Sequence, residues 1–321
     1  MTAIQFQLRQ ATHSDLPEIA ALISEGLSFD GLTIVQTADE LGEEFGGPYC
    51  FLEQDVMVAE YESHIIGVGY TYFLPSETKE ERCYTFGTVK PSYRRKGVGT
   101  EILKWATERA ENLLRSTNRT IPKYLRSDVG TSNTSADFLF KKFNMRPVRW
   151  NEDLIIDLNQ SPDVLTSPGY LIVPWDTSRD EEARVVKNTA FMDHWGSTPT
   201  SEDGWNQLVH GSTARLDQSF FALDSNNNIV GLLLSHRYES DDETLGKRIG
   251  WIDKLATLSE HRGKAIGRSL ITHALAAYRR DDLTHAALDV DTENPTGAYG
   301  LYTAVGFSTF RGSVTYERIV Q

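Results

Sequence analysis

The chain has only two cysteines among its 321 residues, Cys50 and Cys83. They make neither a metal-ligand spacing nor a disulfide framework, and so few thiols fit a reducing, cytoplasmic setting. Positive charge is in deficit, with 32 Lys and Arg against 45 Asp and Glu and a net charge of −13. That balance disfavours general nucleic-acid binding, which wants a basic face, and is compatible with a cationic partner such as an amine. No run approaches the roughly 18 apolar residues of a membrane span. The longest candidates, such as IVGLLL at 229–234, read as single buried strands. The opening MTAIQFQLRQATHSD has no basic region followed by an apolar one, so no secretory leader is expected. No segment is of low complexity. The absences leave a soluble globular protein, with monomer and homodimer equally compatible.

What is present is a repeat. The phrase YRRKGVGTEILKWA at 93–106 returns as HRGKAIGRSLITHAL at 261–275, with Arg94 over Arg262 and Gly99 over Gly267. The offset, 262 − 94 = 168, is about half the chain. Similarity at that period means duplicated domains and not a solenoid. Length alone also suggests two domains at roughly 100–200 residues each. The stretch LNQSPDVLTSPG at 158–169 carries the breakers Pro162, Pro168 and Gly169 and reads as a linker. The expected domains are therefore 1–160 and 165–321.

Each half repeats one order of elements. A short strand run, IQFQLRQA or GYLIVPW, leads into a helical stretch. In the first half Leu16, Ile19, Ala20 and Ile23 recur at helical spacing behind Pro17. Two apolar runs around a polar turn follow, with DSNNN as the turn of the second copy. Then come another strand, the glycine phrase opening a helix, a strand, a short helix and a last strand. The order β-α-α-β-β-β-α-β-α-β argues an α/β (α+β) fold on a mixed sheet, twice.

A tight loop of small residues between a strand and a helix aims several backbone N–H groups at one point. The helix N-terminus adds partial positive charge, and the two together bind phosphate oxygens. Glycine allows close approach and positive φ, and loop arginines and lysines add charge-assisted bonds. Neither a Walker loop nor a dinucleotide fingerprint is present. The pattern is R-x-x-G-x-G in the first copy and R-x-x-A-x-G in the second.

That pattern resembles the acetyl-CoA pyrophosphate loop of the GNAT N-acyltransferase superfamily. The likeness extends over nearly the whole chain, twice, including the strand order. NPTGAYGLYTAVGF at 294–307 is close to the family's C-terminal motif N-x-x-A-x-x-x-Y-x-x-x-G-F. AFMDHWGSTP at 190–199 is similar to a stretch in tandem GNAT proteins of the actinobacterial type, a group that includes mycothiol synthase. The resemblance implies two tandem GNAT domains and direct transfer of an acyl group, by default acetyl, from CoA to a primary amine of a small or cationic acceptor. It implies no metal.

The roles it implies fall on named residues. Tyr302, at the motif's tyrosine, would protonate the leaving thiolate, since a phenol of pKa about 10 is protonated at neutral pH. Asp253, on a strand where the family often carries an acidic base, would take the amine's proton. Alternation puts it on one face with Leu255 and Thr257, and partial burial would raise its pKa. Leu255, Ala256 and Thr257 would present backbone groups to the thioester and the pantetheine arm, with Val89 their counterpart. Arg262, Gly263, Lys264, Ala265, Ile266, Gly267 and Arg268, and in the first copy Arg94, Arg95, Lys96, Gly97, Val98, Gly99 and Thr100, would hold the pyrophosphate. Asn294 would bond the pantetheine arm or shape its own turn. Asp193 and His194 are candidate acceptor contacts.

Two departures qualify the pattern. Phe140 stands where the first copy would need its tyrosine, and a phenyl ring donates no proton. Ala265 replaces a loop glycine, and its methyl is expected to reduce affinity by crowding the pyrophosphate. The expectation is a first domain that binds CoA or is degenerate and a catalytic second domain. The alternative is a non-catalytic CoA-sensing or partner-binding module.

Overall fold

The computed structural model describes residues 4–294 and 297–321. In chain order its elements are β1 (Gln7–Gln10), α1 (Leu16–Phe29), α2 (Ala38–Phe45), α3 (Leu52–Asp55), β2 (Val56–Tyr61), β3 (His64–Leu74), β4 (Glu81–Val89), α4 (Val98–Ser116), β5 (Lys123–Gly130), α5 (Thr134–Lys142) and β6 (Arg146–Asp157). The second half repeats them as β7 (Leu171–Pro174), α6 (Asp180–Ala190), α7 (Glu202–His210), β8 (Phe220–Leu223), β9 (Ile229–Arg237), α8 (Asp242–Leu245), β10 (Ile249–Thr257), α9 (Ile266–Arg280), β11 (His285–Asp291), α10 (Ala298–Val305) and β12 (Ser308–Ile319). The expected order appears in both halves, with the one-turn helices α3 and α8 added.

The chain forms two compact units, one of 1–149 with 313–321 and the other of 150–312. This differs from two contiguous halves divided near 160–165, because the final strands are exchanged. In the first unit the sheet order is β1-β2-β3-β4-β5 and then the C-terminal part of β12, which pairs antiparallel with β5 from Ser313↔Gly130 to Ile319↔Tyr124. In the second unit the order is β7-β8-β9-β10-β11-β6, with β6 antiparallel to β11 from Asn151↔Asp291 to Asp157↔His285. The strand that ends each half in sequence thus completes the other half's unit. The segment 158–169 is not a free linker either. The Leu165 N–H donates to Thr272 Oγ1 at 3.0 Å, and Ser269 and Ser167 donate their hydroxyls to the carbonyls of Leu165 and Lys264, each at 2.6 Å. It runs along α9 as part of the second unit.

Helices cover both faces of each sheet. In the first unit α4 lies over Gly67 and Gly69 of β3, where an added Cβ would meet Ile102 at 2.6 and 2.3 Å, so only glycine lets that helix approach. On the other face Leu16, Ile19, Leu22, Leu41 and Phe45 from α1 and α2 bury against Val56, Val58 and Val68. In the second unit α9 packs Ile266, Leu270, Ala274 and Tyr278 against Val230, Leu233 and Ile252, while α6 and α7 bury Val186, Trp205 and Val209 against Leu232, Leu234 and Ala256. Among the described residues no helix is long and apolar enough to cross a membrane.

Candidate functional site

Each sheet opens at the same place. β4 and β5 pair parallel only from Glu81↔Lys123 to Tyr84↔Arg126, although β4 runs on to Val89 and β5 to Gly130. β10 and β11 pair parallel from Ile249↔His285 to Ile252↔Leu288 and then part, with β10 continuing to Thr257. Beyond each fork, one edge of β4 or β10 has peptide groups with no partner strand among the described residues, and those that no side chain takes need a ligand or water. Leu255, Ala256 and Thr257 lie beyond the second fork, and Val89 beyond the first.

Each open strand leads into the glycine phrase, and the two loops share one backbone. Arg95 and Gly97 have φ of +61° and +94°, and Gly263 and Ala265 have +74° and +63°. Gly97 and Ala265 are the N-caps of α4 and α9. The left-handed conformation costs an L-residue roughly 1–2 kcal/mol, so both Arg95 and Ala265 are strained where the other copy has glycine. A Cβ at Gly97 would meet no protein atom within 4 Å. The cost of alanine at this position is therefore in φ, and no protein contact has to give way. Gly97→Ala is expected to cost the first unit about 1 kcal/mol without loss of its ligand, as read by denaturation and titration of the same variant.

The leading arginines are engaged by the chain itself. Arg94 donates through Nε to the Val89 carbonyl at 3.0 Å and pairs with Asp30, with its guanidinium over the Phe29 ring. Arg262 donates to the carbonyls of Thr257 at 3.2 Å and Ala190 at 2.9 Å. Both fasten the end of the open strand to the helix ahead of it. The expectation for their side chains thus meets guanidiniums that already have partners, with Arg94 also on the wall of a cavity. The further cations of each loop are Arg95 and Lys96, and Lys264 and Arg268. Lys96 lies 4.7 Å over the Tyr93 ring, and Arg95 lines a cavity.

That cavity belongs to the first unit and measures about 600 Å³. Its wall includes Arg95, Gly97, Gly99 and Thr100 of the loop, Thr85 to Val89 of β4, Asp128 to Gly130 of β5, Leu139 and Phe140 of α5, and Tyr70. Asp128 accepts a hydrogen bond from Thr315 of β12. Burial raises its pKa. Sequence reasoning missed Asp30, Tyr70, Phe86 and Asp128. They stand outside the repeated phrase, and only the fork brings them to it. Asn133, the counterpart of Asn294, caps α5 by accepting the Ala136 N–H at 3.0 Å and donates to Asp30 at 2.9 Å.

In the second unit Tyr302 lies on α10 within the cluster that includes Ile266, Leu270 and Leu288, at 8% exposure. Burial, with Asp289 nearby, pushes its phenol well above the usual tyrosine value, so it stays protonated. Among the described residues its hydroxyl has no hydrogen-bond partner. Asn294 is in a turn, its N–H donating to the Asp291 carbonyl at 3.1 Å and its carbonyl accepting the Gly297 N–H at 3.4 Å.

Asp253 is not as the alternation predicts. The β9–β10 register shifts between Ile252 and Lys254, so Asp253 is an extra residue in β10. Ile252 and Leu255 pack toward α9, whereas Ala256 packs toward α6 and α7. Asp253 Oδ2 sits 2.8 Å from Lys254 Nζ and feels the charges of His236 and Lys187. Burial pushes its carboxyl up, but Lys254 and His236 pull harder, and it ends below the ordinary range. The raised pKa expected of a base is therefore absent. Asp193 and His194 occupy the turn after α6, beside the Ala190 carbonyl that Arg262 holds. Asp193 is exposed, and the His194 ring lies 4.4 Å from Phe191.

Comparison with known proteins agrees with this geometry. Residues 184–307 match the acetyltransferase (GNAT) family and residues 53–144 an acetyltransferase (GNAT) domain. The chain is 23% identical to a mycothiol acetyltransferase of Thermobispora bispora, over 98% of this chain and 99% of that one. It is 24% identical to a mycothiol acetyltransferase of Saccharomonospora viridis over 94% and 95%. Among solved structures, a GCN5-related N-acetyltransferase of Sphaerobacter thermophilus superposes with a TM-score of 0.77 at 22% identity, covering 100% of this chain and 98% of that one. A tandem GNAT protein from the clavulanic acid biosynthesis pathway gives 0.70 at 14% identity, over 99% of each chain.

Proposed function

The chain belongs to the GNAT acetyltransferase family and carries two of its domains, and from that premise we propose that the second unit transfers an acetyl group from acetyl-CoA to a primary amine of a small-molecule acceptor while the first unit binds CoA without catalysing transfer. Enzymes of this family are acyl-CoA-dependent N-acyltransferases, with acetyl-CoA as cosubstrate. The single observation that carries the division is the phenol of Tyr302, protonated and unpartnered, set against the phenyl ring of Phe140 on the cavity wall of the first unit. The relatives named mycothiol acetyltransferase support a small-molecule acceptor, and the net charge of −13 favours a cationic one.

The fork supplies what the reaction needs. Peptide groups of Leu255, Ala256 and Thr257 beyond the fork, apart from the Thr257 carbonyl that Arg262 holds, would hold the pantetheine arm as an added strand and polarise the thioester carbonyl. The N–H groups of Ile266, Gly267 and Arg268 at the start of α9 would take the pyrophosphate, with Lys264 and Arg268 adding charge. The neutral amine nitrogen attacks the acetyl carbon, the C–S bond breaks, Tyr302 gives its proton to the departing sulfur, and the proton that the nitrogen loses passes to solvent water, from which the Tyr302 phenolate is reprotonated. Asp253, ionised and paired with Lys254, is a poor proton acceptor, so the amine must arrive neutral. The apparent kcat/KM is then expected to rise with pH toward the pKa of the acceptor amine.

Calorimetric titration of the whole chain with acetyl-CoA tests the division. Two sites per chain are expected. Gly97→Trp should remove one and leave thiol release intact, whereas Gly267→Trp should remove the other and stop it. Absence of any binding would overturn the reading in favour of a module that does not use CoA.

A further inference from the structure

The cavity of the first unit passes through the fork. On one face of the sheet it touches Ile102 of α4, and on the other Ile23 and Leu27 of α1. The phosphate loop opens α4 and so lies at the first of these ends. At the second end the chain builds a roof over the open strands. Gly26 of α1 lies so close to β4 that an added Cβ would clash with the Thr88 side chain. The segment 30–36 then crosses toward β5, where a Cβ on Gly130 would meet Leu32 at 3.3 Å. Hydrogen bonds hold the crossing: Ser132 donates to the Asp30 carbonyl at 3.1 Å, and Asn133 to the Asp30 carboxylate at 2.9 Å. Beneath the roof the walls are apolar. Ile23, Leu27, Leu32 and Ile34 are half-buried and all border the cavity. From the sheet side the rings of Tyr70 and Phe86, 5.1 Å apart, border the same space. The polar side chains that α1 and 30–36 bring to it already have partners. Asp30 is held by Arg94 and Asn133, and Gln36 donates to Glu40 at 3.4 Å. On the strands Thr85 shares a hydrogen bond with Ser127 at 2.6 Å, and Asp128 accepts from Thr315.

A cavity of this size with mostly apolar walls is suited to a small organic group, and hydrocarbon gains most by leaving water for it. CoA held by the loop and by the open edge of β4 brings its sulfur to the fork, and the group that the sulfur carries continues toward the α1 side. A cationic group there would find the Asp30 carboxylate already spent on Arg94. We propose that the first unit binds an acyl-CoA whose acyl group is a hydrocarbon chain of several carbons, with the chain passing through the fork and lying between the rings of Tyr70 and Phe86 and the roof of Leu27, Leu32 and Ile34. The proposal rests on the reading that this unit binds CoA. It concerns binding alone, because Phe140 offers no proton to a leaving thiolate.

Burying one methylene is worth about fourfold in affinity. Octanoyl-CoA carries six more carbons than acetyl-CoA, so even partial burial of its chain separates the two. In the full-length Gly267→Trp chain, where the first unit's site is the one left to read, calorimetric titration is expected to give octanoyl-CoA an affinity at least tenfold above that of acetyl-CoA. Adding Ile34→Asp, which sets a charge against the chain, should bring octanoyl-CoA to within about threefold of acetyl-CoA and leave acetyl-CoA itself unchanged. Leu27→Trp fills the same space without a charge and should do likewise, so a folding defect in one variant does not decide the matter. Equal affinities for the two thioesters in the Gly267→Trp chain, or a tenfold preference that survives both substitutions, would overturn the hydrocarbon site alone. Binding of neither thioester would overturn CoA binding by the first unit, and this proposal with it.

Discussion

Tyr302→Phe is expected to lower kcat for acetyl transfer by at least tenfold and to leave the affinity for acetyl-CoA unchanged. General acids contribute roughly 10²- to 10⁴-fold, and a thiolate of pKa near 8.5 needs less help than an amine or alkoxide would, so the lower end applies. The substitution is clean on physical grounds. The ring of Tyr302 is buried beside α9 and β11, and its hydroxyl bonds to no described residue. Phenylalanine keeps the packing and orphans no donor or acceptor, so the melting temperature should barely move. A loss of turnover with constant stability and constant acetyl-CoA affinity then belongs to the proton. Because the phenol is held well above its ordinary value, its own ionisation should produce no fall in rate up to pH 10. Turnover within twofold of the parent would remove Tyr302 from the mechanism.

The repeated element order was legible because each half carries its own local signals: apolar spacing on the helices, polar turns between strands, and the same loop phrase 168 residues apart. The loop's backbone was legible for the same reason, since Gly97 and Gly263 mark two of its four left-handed positions. Three things were not. The exchange of β6 and β12 depends on which edge a strand finds, and strand pairing is set by non-local contacts that leave no periodic trace. The bulge at Asp253 broke the alternation on which its face was assigned, and no glycine or proline marks the spot. Arg94 and Arg262 read as phosphate ligands because they are basic and adjacent to a phosphate loop. Their acceptors, Asp30 and the carbonyls of Val89, Thr257 and Ala190, come from segments 5 to 72 residues away.

The exchanged strand makes a prediction of comparable size for stability. Arg126 of β5 is 1% exposed and donates through Nε and Nη2 to Glu317 of β12 at 2.9 and 2.7 Å, and through Nη1 to Glu80 at 2.7 Å. Both carboxylates are themselves buried. Removing Arg126 leaves Glu317 as an uncompensated buried charge and Glu80 with Arg82 alone at 3.7 Å, at a cost of about 3–5 kcal/mol. Arg126→Met should therefore destabilise the first unit by about that amount. Adding Glu317→Met to it should recover part of the loss, since the second substitution deletes an orphaned charge and supplies apolar volume. Hydrogen exchange locates the effect: amides of β5 and of 313–319 should lose protection together while β8 and β9 in the second unit keep theirs. The same contacts decide what happens when the chain is cut where the sequence suggests. A fragment of 1–160 lacks Thr315, Tyr316, Glu317 and Arg318, and with them the partners of Asp128, Asp137, Arg126 and Glu111. It also leaves β5 as a bare edge, a template for association with other chains. That fragment is expected to aggregate or to melt well below the full chain, and a peptide of 308–321 supplied in trans should restore protection to β5. A fragment of 1–160 that melts like the intact first unit, with β5 protected, would show that β12 contributes little and that the Arg126 network is not what holds it.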